Sequence, residues 1–213
     1  MDQAPSPEVY QLHVWIRQIS PMIWRRFLVL TDSTLTDLHH TLQIAFGWSD
    51  FHLHRFRIRG RDYSVGRTVV TDLDTQGDEI KLADFRFRVH ERFLYEYDFG
   101  DWWQHEVRIE RHLPLGKKRI YPVCIGGKRA GPPEDCGGPL TFMQRQDEAP
   151  WEAYELLQRL SEGVKNRDLD SIEDQMESVR ALLDWLRLEQ FDRRKVNRRL
   201  QQYALGDEEW LWE

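Results

Sequence analysis

The chain has little cysteine, little lysine and no long apolar run, and each shortage removes a class of protein. Two cysteines in 213 residues exclude a disulfide scaffold. Cys124 and Cys136 stand 12 positions apart rather than in a C-x-x-C pair, which argues against a zinc ribbon. The longest apolar stretches, such as Ile120 to Ile125, are broken by polar residues or proline. No segment approaches the ~20 apolar residues of a spanning helix. The first eight residues are polar and carry prolines, without the basic start and apolar centre of a signal peptide. Internal repeats and low-complexity tracts are also missing. A soluble, cytoplasmic protein without a membrane partner is the expectation.

Lysine contributes only 6 of the 30 basic residues, and arginine the other 24. Guanidinium groups make planar, paired contacts to carboxylates and phosphates, so the bias favours ion-pair networks or anion recognition. Net charge is −6, unevenly spread: 19 basic and 17 acidic residues up to Pro133, then 11 basic and 19 acidic. An acidic balance argues against indiscriminate coating of nucleic acid and leaves a local basic face open. Hydrophobic residues at 40% and aromatics at 12% supply a core, which excludes a wholly disordered chain.

Val9 to Ile19 alternates, with Tyr10, Leu12, Val14 and Ile16 on one face, as a half-buried strand does. After Ser20-Pro21, Ile23 to Leu30 reads as a second strand. A helix follows, capped by Ser33 or Thr34, with Leu35, Leu38, Leu42 and Phe46 on one face and Gly47 as its stop. Phe51 to Arg59 alternates as a third strand. Asp62 to Asp84 is an irregular connection with short strands. Three further strands are expected around Phe85 to Val89, Phe93 to Tyr97 and Trp103 to Ile109, the last two joined by a turn at Asp98 to Asp101. Pro114 to Pro139 is a long Gly- and Pro-rich loop. Helices close the chain: a short one at Glu152 to Leu160, an amphipathic one through Ile172, Met176, Val179, Leu183 and Leu186, and a last one from Asp192 to Tyr203. Strands and one helix first, helices last, define an α+β fold with a mainly antiparallel sheet, one early packed helix and a C-terminal helical segment. A sheet-containing core over 8–140 and a helical cap over 141–205, within the same domain, are the expected division.

On the third strand His52 and His54 share the apolar face with Phe56. Residues i and i+2 of a strand lie roughly 6.5–7 Å apart and point the same way, a workable spacing for metal ligands. His105 lies on the apolar face of its own strand. Three inward histidines could supply the three protein ligands of a catalytic zinc-type site, with water in the fourth position. The plain alternative is three hydrogen-bonded core histidines and no metal. Asp98 and Asp101 flank Gly100 and could orient a histidine or act as an acid–base pair, or simply close the turn. Pro132 to Pro139 stiffens its approach with two prolines and frees its exit with Gly137 and Gly138, holding Glu134 and Asp135 in place for a metal or a cation. Arg55, Arg57, Arg59 and Arg61 form a stripe that could meet phosphates or pair with local acids. The clusters Arg193 to Lys195 and Arg198-Arg199 stand near the acidic tail at 207–209, so pairing within the chain explains them as well as nucleic acid does.

The motifs together carry a resemblance. Tyr10-x-Leu-x-Val14, Pro21-x-Ile-Trp-Arg-Arg26, Leu38-His-x-x-x-Gln-x-Ala-Phe-Gly-Trp48 and His52-Leu-His-x-Phe56 are followed by Tyr95-x-Tyr-Asp-Phe-Gly-Asp-x-Trp-x-His105 and Pro132-Pro-Glu-Asp-x-Gly-Gly138. With Phe191-Asp192 and Val196-Asn197, the set resembles the plasmid pRiA4b ORF-3-like family over roughly residues 8–200. Where that family often has Gly-Tyr after the paired glycines, this chain has Leu140-Thr-Phe142. The resemblance implies an α+β domain found in plasmid and mobile-element contexts, without a settled activity, and no serine-recombinase pattern is present. Two functions stand on this reading. One is an accessory or binding protein acting on nucleic acid or a protein partner. The other is a metal-assisted hydrolase using the histidines His52, His54 and His105 with the acidic loop and a divalent metal such as zinc.

Overall fold

The computed structural model describes residues 8–64, 79–207 and 210. Among the described residues, seven strands form one sheet, paired antiparallel throughout. In chain order they are β1 (Glu8–Ile16), β2 (Trp24–Leu30), β3 (His54–Ile58), β4 (Arg61–Tyr63), β5 (Arg92–Tyr97), β6 (Trp103–Pro114) and β7 (Val123–Lys128). Their order across the sheet is β4-β3-β5-β6-β1-β2-β7. One helix, α1 (Leu35–Phe46), comes early, and α2 (Gly138–Asn166), α3 (Leu169–Asp174), α4 (Met176–Arg187) and α5 (Arg193–Ala204) come late. The α+β class expected from the sequence is the one observed.

The alternation of β1 puts Tyr10, Leu12, Val14 and Ile16 into the core, where Leu35, Leu38, Leu42 and Phe46 of α1 join them. Burial of this kind contributes roughly 25 cal/mol per Å² of apolar surface and fixes which face of α1 turns to the sheet. Thr34 and Asp37 form a reciprocal capping box, each side chain accepting from the other's backbone N–H at 3.0 and 2.8 Å. At the other end Gly47 takes the left-handed conformation and donates to Gln43 O. The β5–β6 hairpin closes at Asp98, whose Oδ1 accepts from the N–H groups of Gly100 and Asp101.

Several elements differ from the sequence reading. The third strand starts at His54, leaving Phe51 exposed and His52 in the preceding loop. Phe85 and Phe87 belong to no strand. A short 3-10 turn (Leu82–Phe85) and a left-handed Arg86 carry them, and the rings form a stack in which Phe85 lies on Phe87 and Phe87 on Phe93. The long loop contains β7, which pairs with β2. The short helix expected at Glu152 to Leu160 is part of the 29-residue α2, which runs through Pro150 with the loss of one i→i−4 bond. The single amphipathic helix is split at Gln175 into α3 and α4. Gly66 and Gly77 of the irregular connection lie outside the described residues.

The last helix docks on the outer strand. Asp192 caps α5 by accepting from Arg194 N and Lys195 N. Asn197 then mimics a strand partner: its Oδ1 accepts from Cys124 N at 2.8 Å, and its Nδ2 donates to Cys124 O at 2.9 Å. Covering β7 in this way protects an otherwise open sheet edge. Tyr203 donates to Asp37 at 2.7 Å and ties α5 to α1. Among the described residues, no helix is long and apolar enough to cross a membrane.

Candidate functional site

Helix α1 presents two consecutive histidines beside the sheet. His39 lies on the apolar face with Leu35 and Leu42 and is fully buried, whereas His40 is half-buried. Beyond Gly47 the chain folds back, with Asp50 in the left-handed conformation, and enters β3 at His54. This return brings Asp50 Oδ1 to 2.7 Å from His39 Nε2, and Asp50 Oδ2 to 3.9 Å from His40 Nε2. The His54 ring lies parallel to His39, with centroids 3.5 Å apart and an interplanar angle of 8°.

A closed hydrogen-bond circuit fixes His39. Gln43 Nε2 donates to the Tyr95 hydroxyl at 2.9 Å, and that hydroxyl lies 2.8 Å from His39 Nδ1. Asp50 N donates to Gln43 Oε1 at 3.1 Å and completes the ring through the His39–Asp50 contact. The Tyr95 hydroxyl has two lone pairs, so beside Gln43 it can also accept from His39 Nδ1–H, in the tautomer that leaves the Nε2 lone pair free for a metal. His39 Nε2 then faces Asp50, the arrangement in which a hydrogen-bonded second nitrogen orients a ligating one. Burial pushes the Tyr95 hydroxyl well above its ordinary value. For Asp50, burial works upward, but the His39 hydrogen bond and the fields of His39, His54 and His40 outweigh it and hold the carboxyl low. His54 is pushed down to about 3, first by burial and then by His39. Its Nε2 is buried without a hydrogen-bond partner among the described residues.

One ligand atom from each of His39, His40 and Asp50 lies within 4.8 Å of the others, and the same holds for His52, Asp98 and Asp135. In the second group His52 Nε2 stands 3.1 Å from Asp135 and Nδ1 3.7 Å from Asp98. The two carboxylates therefore approach opposite nitrogens of one ring, a geometry closer to an acid–base relay than to a shared ligand point. Glu134 accepts from Tyr97 at 2.5 Å and from Ser49 Oγ at 2.5 Å. Burial and the Glu134 contact both raise the Tyr97 hydroxyl. Asp101 accepts from Gly137 N at 3.0 Å, and Gly138 packs so closely on Asp101 O that a Cβ there would stand 2.5 Å from it.

The structure thus brings His52, Asp98 and Asp135 together and puts Glu134 beside them on Tyr97. Asp101 anchors the acidic loop to the hairpin turn. His54 sits with His39 and Asp50 instead. His105 is enclosed by Phe46, Trp48 and Tyr95, its two ring nitrogens lack hydrogen-bond partners among the described residues, and burial drives it down to about 3. His39, His40 and Asp50 were not singled out from the sequence. The available signal was His39 itself, a titratable ring on the apolar face of a helix that had to find a partner. The arginine stripe is largely neutralised: Arg55 pairs with Glu96 and Asp62, Arg57 with Asp62 at 2.8 Å, and Arg59 with Glu91 at 2.8 Å. Arg199 donates to Trp210 O, and Glu208 and Glu209 lie outside the described residues.

These features define an α+β protein with an antiparallel sheet and a histidine–carboxylate cluster where the early helix meets it. The chain belongs to the family described as plasmid pRiA4b ORF-3-like protein, whose pattern matches residues 8–200 and so spans both clusters. It is similar to uncharacterized protein y4hQ of Sinorhizobium fredii (strain NBRC 101917 / NGR234), with 30% identity over 165 residues, covering 76% of this chain and 84% of that protein. It is also similar to a crystallised protein of unknown function, MM3350 from Methanosarcina mazei Go1. There the identity is 32% and the TM-score 0.62, over 89% of this chain and 97% of the other.

Proposed function

We propose that the chain binds a divalent metal at His39, His40 and Asp50 and uses it for hydrolysis. The observation that carries this reading is the convergence of those three ligand atoms within 4.8 Å, with the His54 Nε2, without a hydrogen-bond partner among the described residues, in the ring stacked on His39. Two imidazoles and a carboxylate suit zinc, and three protein ligands leave a position for water, which the ion activates near neutral pH. His52 between Asp98 and Asp135 offers an acid–base group, and Glu134 adds a carboxylate from the same loop. Ion pairing along the arginine stripe weighs against docking on nucleic-acid phosphates there.

An accessory role with a protein partner is the second reading. It is favoured by α4, an amphipathic helix without a buried residue that leaves Met176, Leu183 and Leu186 more than two-fifths exposed.

Calorimetric titration of zinc into EDTA-stripped protein tests the first reading. One ion per chain is expected, with uptake lost in Asp50→Ala and His39→Ala, and with zinc-dependent cleavage of p-nitrophenyl esters or phosphates. Absence of stoichiometric uptake, or uptake indifferent to Asp50→Ala, overturns it.

A further inference from the structure

Arg25 of β2 is buried, 1% exposed, with its guanidinium between the rings of Phe46 and Phe191 at 4.8 and 3.9 Å. Its Nε donates to Ala45 O at 2.9 Å, and its Nη1 to Trp24 O at 2.8 Å and Lys128 O at 3.1 Å. All three acceptors are neutral carbonyls. Among the described residues no carboxylate pairs with it, and these bonds leave Nη2 unused. A buried cation balanced only by dipoles is costly, and a counter-anion relieves that cost.

Arg25 lines a cavity of about 610 Å³ between the end of α1 and the start of α5, within the range of small-molecule sites. Arg187, Lys195 and Arg199 line it too, and its acidic residue, Asp192, already has a carboxylate oxygen engaged in capping α5. Phe46 and Phe191 give it apolar wall. Gly131 also lines it, and packs so close to Phe46 O that a Cβ would stand 2.0 Å away, so the wall there admits no side chain.

We propose that this cavity binds a small organic anion, a carboxylate or phosphate monoester carried on an apolar ring or chain. Lys195 and the unused Arg25 nitrogen receive the anionic head, with Arg187 (3.6 Å from Asp184) and Arg199 (bonded to Trp210 O) adding positive field, while the aromatic wall receives the body. The site is separate from the proposed metal centre and does not rest on it.

Calorimetry on the full chain in EDTA, which removes the metal centre from the question, tests this with phenyl phosphate, phenylacetate, inorganic phosphate and benzyl alcohol. The expected result is saturable binding of phenyl phosphate or phenylacetate at least about ten-fold tighter than benzyl alcohol and inorganic phosphate. The tighter of the two names the head group. Lys195→Glu, on an exposed helix position, should weaken that binding about ten-fold or more with an unchanged melting temperature. The proposal is overturned if neither organic anion exceeds both controls, or if Lys195→Glu leaves the affinity unaltered.

Discussion

The imidazole of His54 lies flat on that of His39, 3.5 Å between centroids, so the first residue of β3 and the fifth of α1 share one electrostatic environment. Burial, reinforced by the neighbouring His39, keeps the His54 ring neutral in that contact. The stack couples helix to sheet at the point where Asp50 arrives.

Acid stability should reflect this coupling. His54 and His105 are each depressed to about 3 in the fold, against about 6.5 for an ordinary histidine. Between those values the unfolded chain binds more protons than the native one. Their contribution is therefore complete above about pH 6.5 and is lost as pH falls towards 3, at up to about 1.4 kcal/mol per pH unit for each group. Urea melts between pH 4 and 8 should show this slope, and His105→Phe should flatten it. An unchanged slope in His105→Phe contradicts the account.

Tyr95→Phe should affect more than stability. It leaves His39 Nδ1 and Gln43 Nε2 without their shared partner, at a cost of about 1–3 kcal/mol. If the hydroxyl orients a metal ligand, zinc affinity should also fall by about 10–100-fold. A destabilised variant with undiminished zinc affinity would make Tyr95 a packing residue only.

Asn197→Ala removes both bonds between α5 and Cys124 and leaves backbone groups of β7 open. A loss of about 1–3 kcal/mol in chemical denaturation is expected. Equal stability of the variant would mean that the apolar contacts of Val196 and Leu200 suffice to dock the helix.

Much of the fold could be read from periodicity. Tyr10 to Ile16 alternates because one face of β1 is core, and Thr34 and Gly47 bracket α1 because their chemistry is local. Phe85 and Phe87 misled for a physical reason: two aromatics can be buried by stacking in a turn as well as by a pleat. The short helix expected at Glu152 to Leu160 is only the middle of α2, which carries Pro150 within a long exposed helix. The candidate site was harder to see. Strand parity carried His52 into β3, although the strand begins two residues later, and no periodic signal marks Asp50 in its left-handed turn. The acidic loop was conspicuous by composition, and the structure sets its Asp135 on His52 and its Glu134 on Tyr97.

The most direct test of the proposed centre is anomalous scattering from crystals grown with zinc, measured on both sides of the zinc edge. Zinc in the proposed centre gives a peak at about 2.0–2.2 Å from His39 Nε2, His40 Nε2 and an Asp50 oxygen. A peak held by His52, Asp98 and Asp135 with nothing at Asp50, or no ordered peak in the chain, would contradict it.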